Sequence, residues 1–382
     1  MGCLQFFPEN GIELLSLMSL IKIDKDDKIM MHDQLRDLGR EIVRLEHTKE
    51  PQERSRLWIH EEALDVIDNN KGSSKIEALC LGLSEFEALF LGDYYYKKSY
   101  RGEQFNELTN LRFLQLGNVN LIRDFQNLLP QLRWLQWKGC PLDFNMVNFH
   151  PKKLAVLDLS RSYISEDWGG WDPLKMATKL KVLNLSYCEN LRRIPNLSTL
   201  KSLEILNLEN CRNLEEIHPS IWYIKTLVSL DVHGCFKLEK LPTRVGRMEE
   251  LRELLYYDKL AQLPESMGSF KWLTKLDLSQ TRIKELPEFI GSMKALETLN
   301  VSWCGLLDRI PNSIGNLASL SLLNLLGCQL LREIPNSIGK LTSLIKLQLT
   351  KTSITKLPES IGNLKNLRIL ELDETPMTNR IA

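Results

Sequence analysis

From about residue 108 to the C-terminus, apolar and polar positions follow one recurring phrase: L-x-x-L-x-L, two further residues, a cysteine or threonine, an apolar residue, and then I/L-P-x-x-I-G. The copy LASLSLLNLLGCQLLREIPNSIGKL shows it in full. Within L-x-L successive side chains face opposite ways, so each phrase predicts a short strand with its leucines on one face. The prolines that follow (Pro195, Pro242, Pro264, Pro287, Pro311, Pro335 and Pro358) lack an N–H, which suits an irregular return segment better than a helix interior. Anchor leucines fall at Leu180, Leu203, Leu227, Leu251, Leu273, Leu296, Leu320, Leu344 and Leu367, at steps of 22 to 24 residues, and looser copies begin at Leu111, Leu132 and Leu154. About twelve units result. A unit this short cannot bury its own apolar face, whereas stacked units share theirs, so the pattern predicts a solenoid with parallel strands lining a concave surface.

Two details refine the repeat. Cys140, Cys188, Cys211, Cys235, Cys304 and Cys328 all stand three residues after the second inward strand position, and Thr281, Thr352 and Thr375 occupy the same slot elsewhere. A small side chain that donates one hydrogen bond to the turn backbone of a neighbouring coil fits that slot. No C-x-x-C spacing accompanies these cysteines, so a metal site is not expected. Two places break the rhythm: the unit at Leu251, which is one residue short and carries Tyr256 and Tyr257, and the insertion EDWGGWDP at 166–173. Packing is the expected role of each.

The residue between the two strand leucines faces the concave side. Down the array it reads Gln115, Gln136, Asp158, Asn184, Asn207, Asp231, Asp277, Asn300, Asn324, Gln348 and Glu371, all amides or carboxylates, with Tyr187 and Trp303 at the edge as candidate aromatic anchors. The expectation is a protein-binding face, set against the plainer reading that exposed strand positions are simply polar.

Residues 1–75 lack the repeat. GIELLSLMSLIKI (11–23) reads as a helix running into a strand, KIDKDDKIMMH as a hairpin turn and strand, and DQLRDLGREIVRLEH (33–47) as an amphipathic helix capped by Asp33 with Leu35, Leu38, Ile42 and Leu45 inward. The expected organisation is a partial winged-helix module over 1–75, a linker and solenoid entry over 76–107, and the repeat domain over 108–382.

The repeat phrase matches the leucine-rich repeat, which makes the expected fold class α/β: a leucine-rich-repeat solenoid preceded by a partial, α-rich winged-helix module. The head is more specific. Met31-His32-Asp33 followed by QLRDLGREIVR, with FFPENGIELL before it and PQERSRLW after it, closely resembles the winged-helix end of the nucleotide-binding region of plant intracellular nucleotide-binding leucine-rich-repeat immune receptors, in the Toll/interleukin-receptor-like class. LSYCENLRRIP, SIWYIKTLVSLDVHGCFKLEKLP and IPNSIGNL resemble that family's repeat phrases. The resemblance implies that His32 contacts the β-phosphate of ADP, with Asp33 starting the helix beside it. It also implies ADP or ATP as cofactor of the full-length family. The phosphate loop G-x-x-x-x-G-K-[ST] of that family does not occur in this sequence, so no cofactor is expected for this portion alone. Both ends break into family phrases, and the expectation is a truncated portion of such a receptor.

Composition narrows the picture further. Lysine plus arginine and aspartate plus glutamate are each 49 among 382 residues, which argues against a nucleic-acid partner held by a global basic field. The balance is a cancellation, since residues 1–75 carry 15 acidic against 11 basic side chains. No secretory signal or long apolar run is visible, so a cytoplasmic or nuclear protein without a membrane partner is expected. Six scattered histidines with no nucleophile elbow or H-E-x-x-H motif imply no catalytic residues and no enzyme. The expected role is recognition and autoinhibition in plant defence. The partners would be a pathogen effector, a host guarded protein or the receptor's own nucleotide-binding region. The rivals are a secreted receptor ectodomain and a stand-alone cytosolic scaffold or substrate receptor on the same repeats.

Overall fold

The computed structural model describes residues 20–23, 29–82, 98–117, 119–122, 128–142, 152–239, 250–256 and 260–377. The helix expected over 11–19, Pro242 and Tyr257 lie outside them.

The head contributes strands β1 (Ile21–Ile23) and β2 (Ile29–Met31), paired antiparallel, and helix α1 (Asp33–Glu46). The hairpin and helix fall where the pattern places them, but the buried face of α1 does not. Val43 is the buried residue, while Leu38, Ile42 and Leu45 are 56%, 58% and 64% exposed. The described residues place no apolar layer over that side of the helix.

One sheet then runs the length of the chain. It comprises β3 (Arg56–Leu57), β4 (Ala78–Leu81), β6 (Phe113–Gly117), β8 (Trp134–Lys138), β9 (Val156–Asp158), β10 (Val182–Asn184), β12 (Ile205–Asn207), β14 (Ser229–Val232), β15 (Glu253–Tyr256), β16 (Lys275–Asp277), β17 (Thr298–Asn300), β18 (Leu322–Asn324), β19 (Lys346–Gln348) and β20 (Ile369–Glu371). These 14 strands are parallel and lie in chain order. Two further parallel pairs, β5 (Lys98–Arg101) with β7 (Val119–Ile122) and β11 (Arg193–Ile194) with β13 (Glu216–Ile217), lie outside this sheet.

The sheet starts earlier than the expected boundary at 108. Strand β3 falls in the stretch read as head, while β4 falls in the stretch read as linker and solenoid entry. The reason lies in Ile76, Leu79 and Leu81, which repeat the L-x-x-L-x-L phrase with isoleucine at its first position and are all fully buried. The step from Ile76 to Leu111 is much longer than the usual 22 to 24, which hides the copy. Helix α2 (His60–Asp68) is the return segment that leads from β3 to β4 and buries Ala63, Val66 and Ile67 in the core.

The core is one continuous column of strand leucines. Leu157, Leu183, Leu206, Leu230, Leu254, Leu276, Leu299, Leu323 and Leu347 are in register across neighbouring strands, and each is completely buried. The cysteine slot behaves as the spacing predicts in five coils, whereas the Cys140 thiol donates to the Pro141 carbonyl of its own coil. The thiols of Cys188, Cys211, Cys235, Cys304 and Cys328 donate to the carbonyls of Leu159, Leu185, Leu208, Leu278 and Val301 in the preceding coil, at 3.0–3.3 Å. Thr281, Thr352 and Thr375 donate instead to carbonyls of their own coils. Burial pushes the Cys211 and Cys328 thiols up to about 12, so these cysteines remain protonated and inert.

The irregular units are packed rather than open. The insertion folds into helix α3 (Trp171–Leu174), whose Trp171 meets Trp168 edge-on at 5.4 Å, both rings buried. Tyr256 fills the second inward strand position of the short unit and donates its hydroxyl to the Leu238 carbonyl.

Short 3-10 turns form the opposite side. Glu288–Ser292, Asn312–Asn316, Asn336–Lys340 and Glu359–Asn363 each follow a proline. They stack so closely that a Cβ on Gly315 would lie 2.4 Å from the Ser337 carbonyl oxygen. Gly315→Ala is therefore expected to lower stability by about 1–3 kcal/mol in chemical denaturation, while Gly305→Ala, whose Cβ would meet nothing within 4 Å, should leave the midpoint nearly unchanged.

Arg54 joins the head to the array. It is 3% exposed, donates from Nε to the His47 carbonyl at 2.6 Å and from Nη2 to the Thr48 carbonyl at 3.4 Å, and pairs through Nη1 with Glu62 of α2 at 2.7 Å. Arg54→Ala should cost about 3 kcal/mol, because it strands a carboxylate and the carbonyls that follow α1; thermal unfolding by circular dichroism measures the loss.

Candidate functional site: the concave face and the His32 corner

The expected polar column is assembled as one continuous register. Gln115, Gln136, Asp158, Asn184, Asn207 and Asp231 follow strand by strand, and Asp277, Asn300, Asn324, Gln348 and Glu371 continue it. Between Asp231 and Asp277 stands Leu255, so the column is polar in two runs with an apolar break. All these side chains are half-buried.

Their chemistry is divided between structure and surface. In seven coils the Oδ1 atom accepts the backbone N–H two residues on: Asp158 from Ser160, Asn184 from Ser186, Asn207 from Glu209, Asp231 from His233, Asp277 from Ser279, Asn300 from Ser302 and Asn324 from Leu326, at 2.8–3.1 Å. Asn and Asp are favoured there because their short side chains close such a turn. The second polar atom remains for other contacts, and Asn300 Nδ2 uses it to donate to Asp277 Oδ2 at 2.8 Å. The longer side chains link neighbouring coils: Gln136 donates to Asp158 at 2.9 Å and Gln348 to Glu371 at 2.6 Å. The Gln348 amide, followed by Lys346 at 2.9 Å, holds the Glu371 carboxyl below its ordinary range.

Tyr187 and Trp303 occupy the turn just past the strand, each with φ of 60°. Only the surrounding backbone ladder keeps a bulky residue in that left-handed region. The Arg161 guanidinium lies 4.4 Å from the Tyr187 ring centre, and the Tyr187 hydroxyl donates to Glu209 at 3.1 Å. The Trp303 ring lies against Gly327, where a Cβ would approach it to 2.5 Å, and Lys351 stands 5.6 Å from its centre. Trp303 is 43% exposed.

The sequence reading missed a second register position, two residues ahead of the polar column, which carries Phe113, Trp134, Val156, Val182 and Ile205. The signal was present as an apolar residue directly before the first strand leucine, but alternation had marked that position simply as outward.

At the other end of the chain, His32 rather than Asp33 caps α1. Its Nδ1 accepts the Gln34 N–H at 3.3 Å, which leaves the imidazole proton on Nε2. Asp33 is the first helical residue and pairs with Arg36 at 2.6 Å. His32 is exposed, so its fit to a phosphate is that of one N–H donor at a helix start. A bound nucleotide would supply the phosphate oxygen to which this N–H would donate.

In this architecture, a winged-helix segment leading into a leucine-rich array, the chain is similar to two portions of plant disease resistance proteins. Residues 4–47 match the disease resistance protein Roq1-like winged-helix domain, and residues 255–331 match a leucine-rich repeat region. Among relatives, the TMV resistance protein N of Nicotiana glutinosa is 29% identical over 263 residues, which is 69% of this chain and 22% of that protein. Disease resistance protein RPP2A of Arabidopsis thaliana is 32% identical over 251 residues, 63% of this chain and 18% of that protein. The chain thus spans about a fifth of the length of these relatives. In fold, it is similar to Toll in the Drosophila Toll–Spätzle complex, with a TM-score of 0.60 at 19% identity over 72% of this chain and 38% of that one. An internalin of Listeria monocytogenes aligns with a TM-score of 0.52 at 18% identity over 83% and 88% of the two chains. Among the described residues no helix is long and apolar enough to cross a membrane.

Asp231 gives the concave face a pH response. Burial pushes its carboxyl up to about 6, a rise opposed by the N–H and the ring of His233 and reinforced by the nearby Glu209 and Asp277 carboxylates. Between about pH 4 and 6 the folded chain holds a proton that the unfolded chain releases, so this group's contribution falls as pH rises through that window and is lost above it. Asp231→Asn keeps the turn acceptor without the charge. It should raise stability at pH 7.5 by about 1–3 kcal/mol and match the parent only near pH 3, below the window, as read from urea midpoints at both pH values.

Proposed function

We propose that the chain is the recognition and autoinhibition portion of an intracellular plant immune receptor, acting in defence in the cytoplasm or nucleus. Its concave face would bind protein: a pathogen effector, a host guarded protein or the receptor's own nucleotide-binding region. One observation carries this reading, the coupling of a winged-helix segment to an open parallel sheet through the buried Arg54. A stand-alone scaffold built on the same repeats would lack the winged-helix segment. The role is non-catalytic, with His32 as a phosphate contact and Asp33 beside it only when the nucleotide-binding lobe is present.

The test is co-immunoprecipitation of the chain with the nucleotide-binding region of a relative such as the TMV resistance protein N, both expressed in leaf tissue. Association is expected, together with a weaker cell-death response when the chain is co-expressed with the active receptor. Arg54→Ala should reduce both. No association and no effect on the response would overturn the receptor reading in favour of the scaffold.

A further inference from the structure

The outward face changes character along the array. Phe113, Trp134, Val156, Val182 and Ile205 stand in register on five consecutive strands, after which the same position becomes Ser229, Glu253 and Lys275. None of the five belongs to the core: Trp134 and Ile205 are 38% and 40% exposed, and the other three are half-buried on the outer side. Phe113 meets Trp134 at 4.0 Å and Trp58 at 5.9 Å, both edge-on, so an aromatic cluster closes one end. Scattered surface apolar residues need no explanation, whereas a contiguous stripe marks a contact.

The charge around the stripe is one-sided at that end. Arg133 precedes Trp134 on one flank, and Arg161 follows Asp158 on the other. Neither guanidinium has a carboxylate partner among the described residues. Lys138, half-buried, sits between Asp158 and Arg161, and burial together with Arg161 lowers its affinity for its proton despite Asp158. The oxygens of Asp158 are engaged by Ser160 and Gln136. The carboxylates that border the stripe are already paired, Glu77 with Arg112 at 3.6 Å and Glu204 with Lys181 at 2.7 Å.

Spacing selects the occupant's backbone. Five strands about 4.8 Å apart span about 19 Å. A helix laid across them presents one apolar residue per turn of about 5.4 Å and covers the stripe with about 13 residues. An extended segment would place same-face side chains about 6.8 Å apart and fall out of step. Resting on the reading of the array as a protein-recognition surface, we propose that the stripe from Phe113 to Ile205, flanked by Arg133 and Arg161, docks an acidic amphipathic helix of a partner protein. Its apolar face would cover the stripe while its carboxylates meet the two guanidinium groups.

The probe is a helix-stabilised synthetic peptide of about 15 residues with leucines at i, i+4, i+7 and i+11 and glutamates on both flanks, titrated onto the full chain by calorimetry beside its lysine counterpart. The glutamate peptide should bind about tenfold tighter than the lysine peptide. Val182→Asp should abolish binding of both, and Arg133→Glu with Arg161→Glu should reverse the preference, with circular dichroism unchanged. Equal binding of the two peptides, an unreversed preference in the double variant, or no effect of Val182→Asp would overturn the proposal. Peptide selectivity without association with the nucleotide-binding region would count against the receptor reading alone. Association without selectivity would count against the helix site alone.

Discussion

Every coil depends on the contact between its strand leucines and those of its neighbours. A single unit has too little apolar surface to offset the ordering of its backbone, so Leu183 is stable only because Leu157 and Leu206 flank it in register. The second inward residues, among them Leu185, Leu208 and Leu278, extend the same column, and the thiol ladder lies directly beside it. The concave face is what remains outward once these demands are met. Its chemistry is whatever the alternation leaves over.

That dependence explains how much of the protein was legible. The period, the inward leucines and the cysteine slot follow from local spacing, because each is imposed identically in every coil. The first coil escaped notice because Ile76 replaces the anchor leucine and the long step to Leu111 breaks the period. The outward face of α1 escaped for another reason. Helical periodicity identifies an apolar stripe without specifying what covers it, and here Val43 is buried in place of Leu38, Ile42 and Leu45.

The candidate site was legible in position and less so in meaning. The polar column reads from sequence as a row of ligand contacts, yet seven of its members spend one oxygen closing their own turns. Asparagine and aspartate are favoured at those positions by turn geometry before any partner is considered. Positions without such a backbone duty carry more information about recognition. Phe113, Trp134, Val156, Val182 and Ile205 close no turn and fill no core, so their apolar character is what the coil itself does not require. Leu255 likewise divides the polar column into two runs, each carrying two carboxylates.

Arg54 has a mechanical consequence. Its acceptors are two carbonyls just beyond α1 and a carboxylate on α2, so a single buried cation is shared between the head and the first coil. Tilting α1 by an ångström or two would leave that cation short of partners in a place water does not reach, a cost of several kcal/mol. The joint therefore works as a weld. A displacement of α1 would strain the α2 contact as well, so the two helices are held to one another across residue 54.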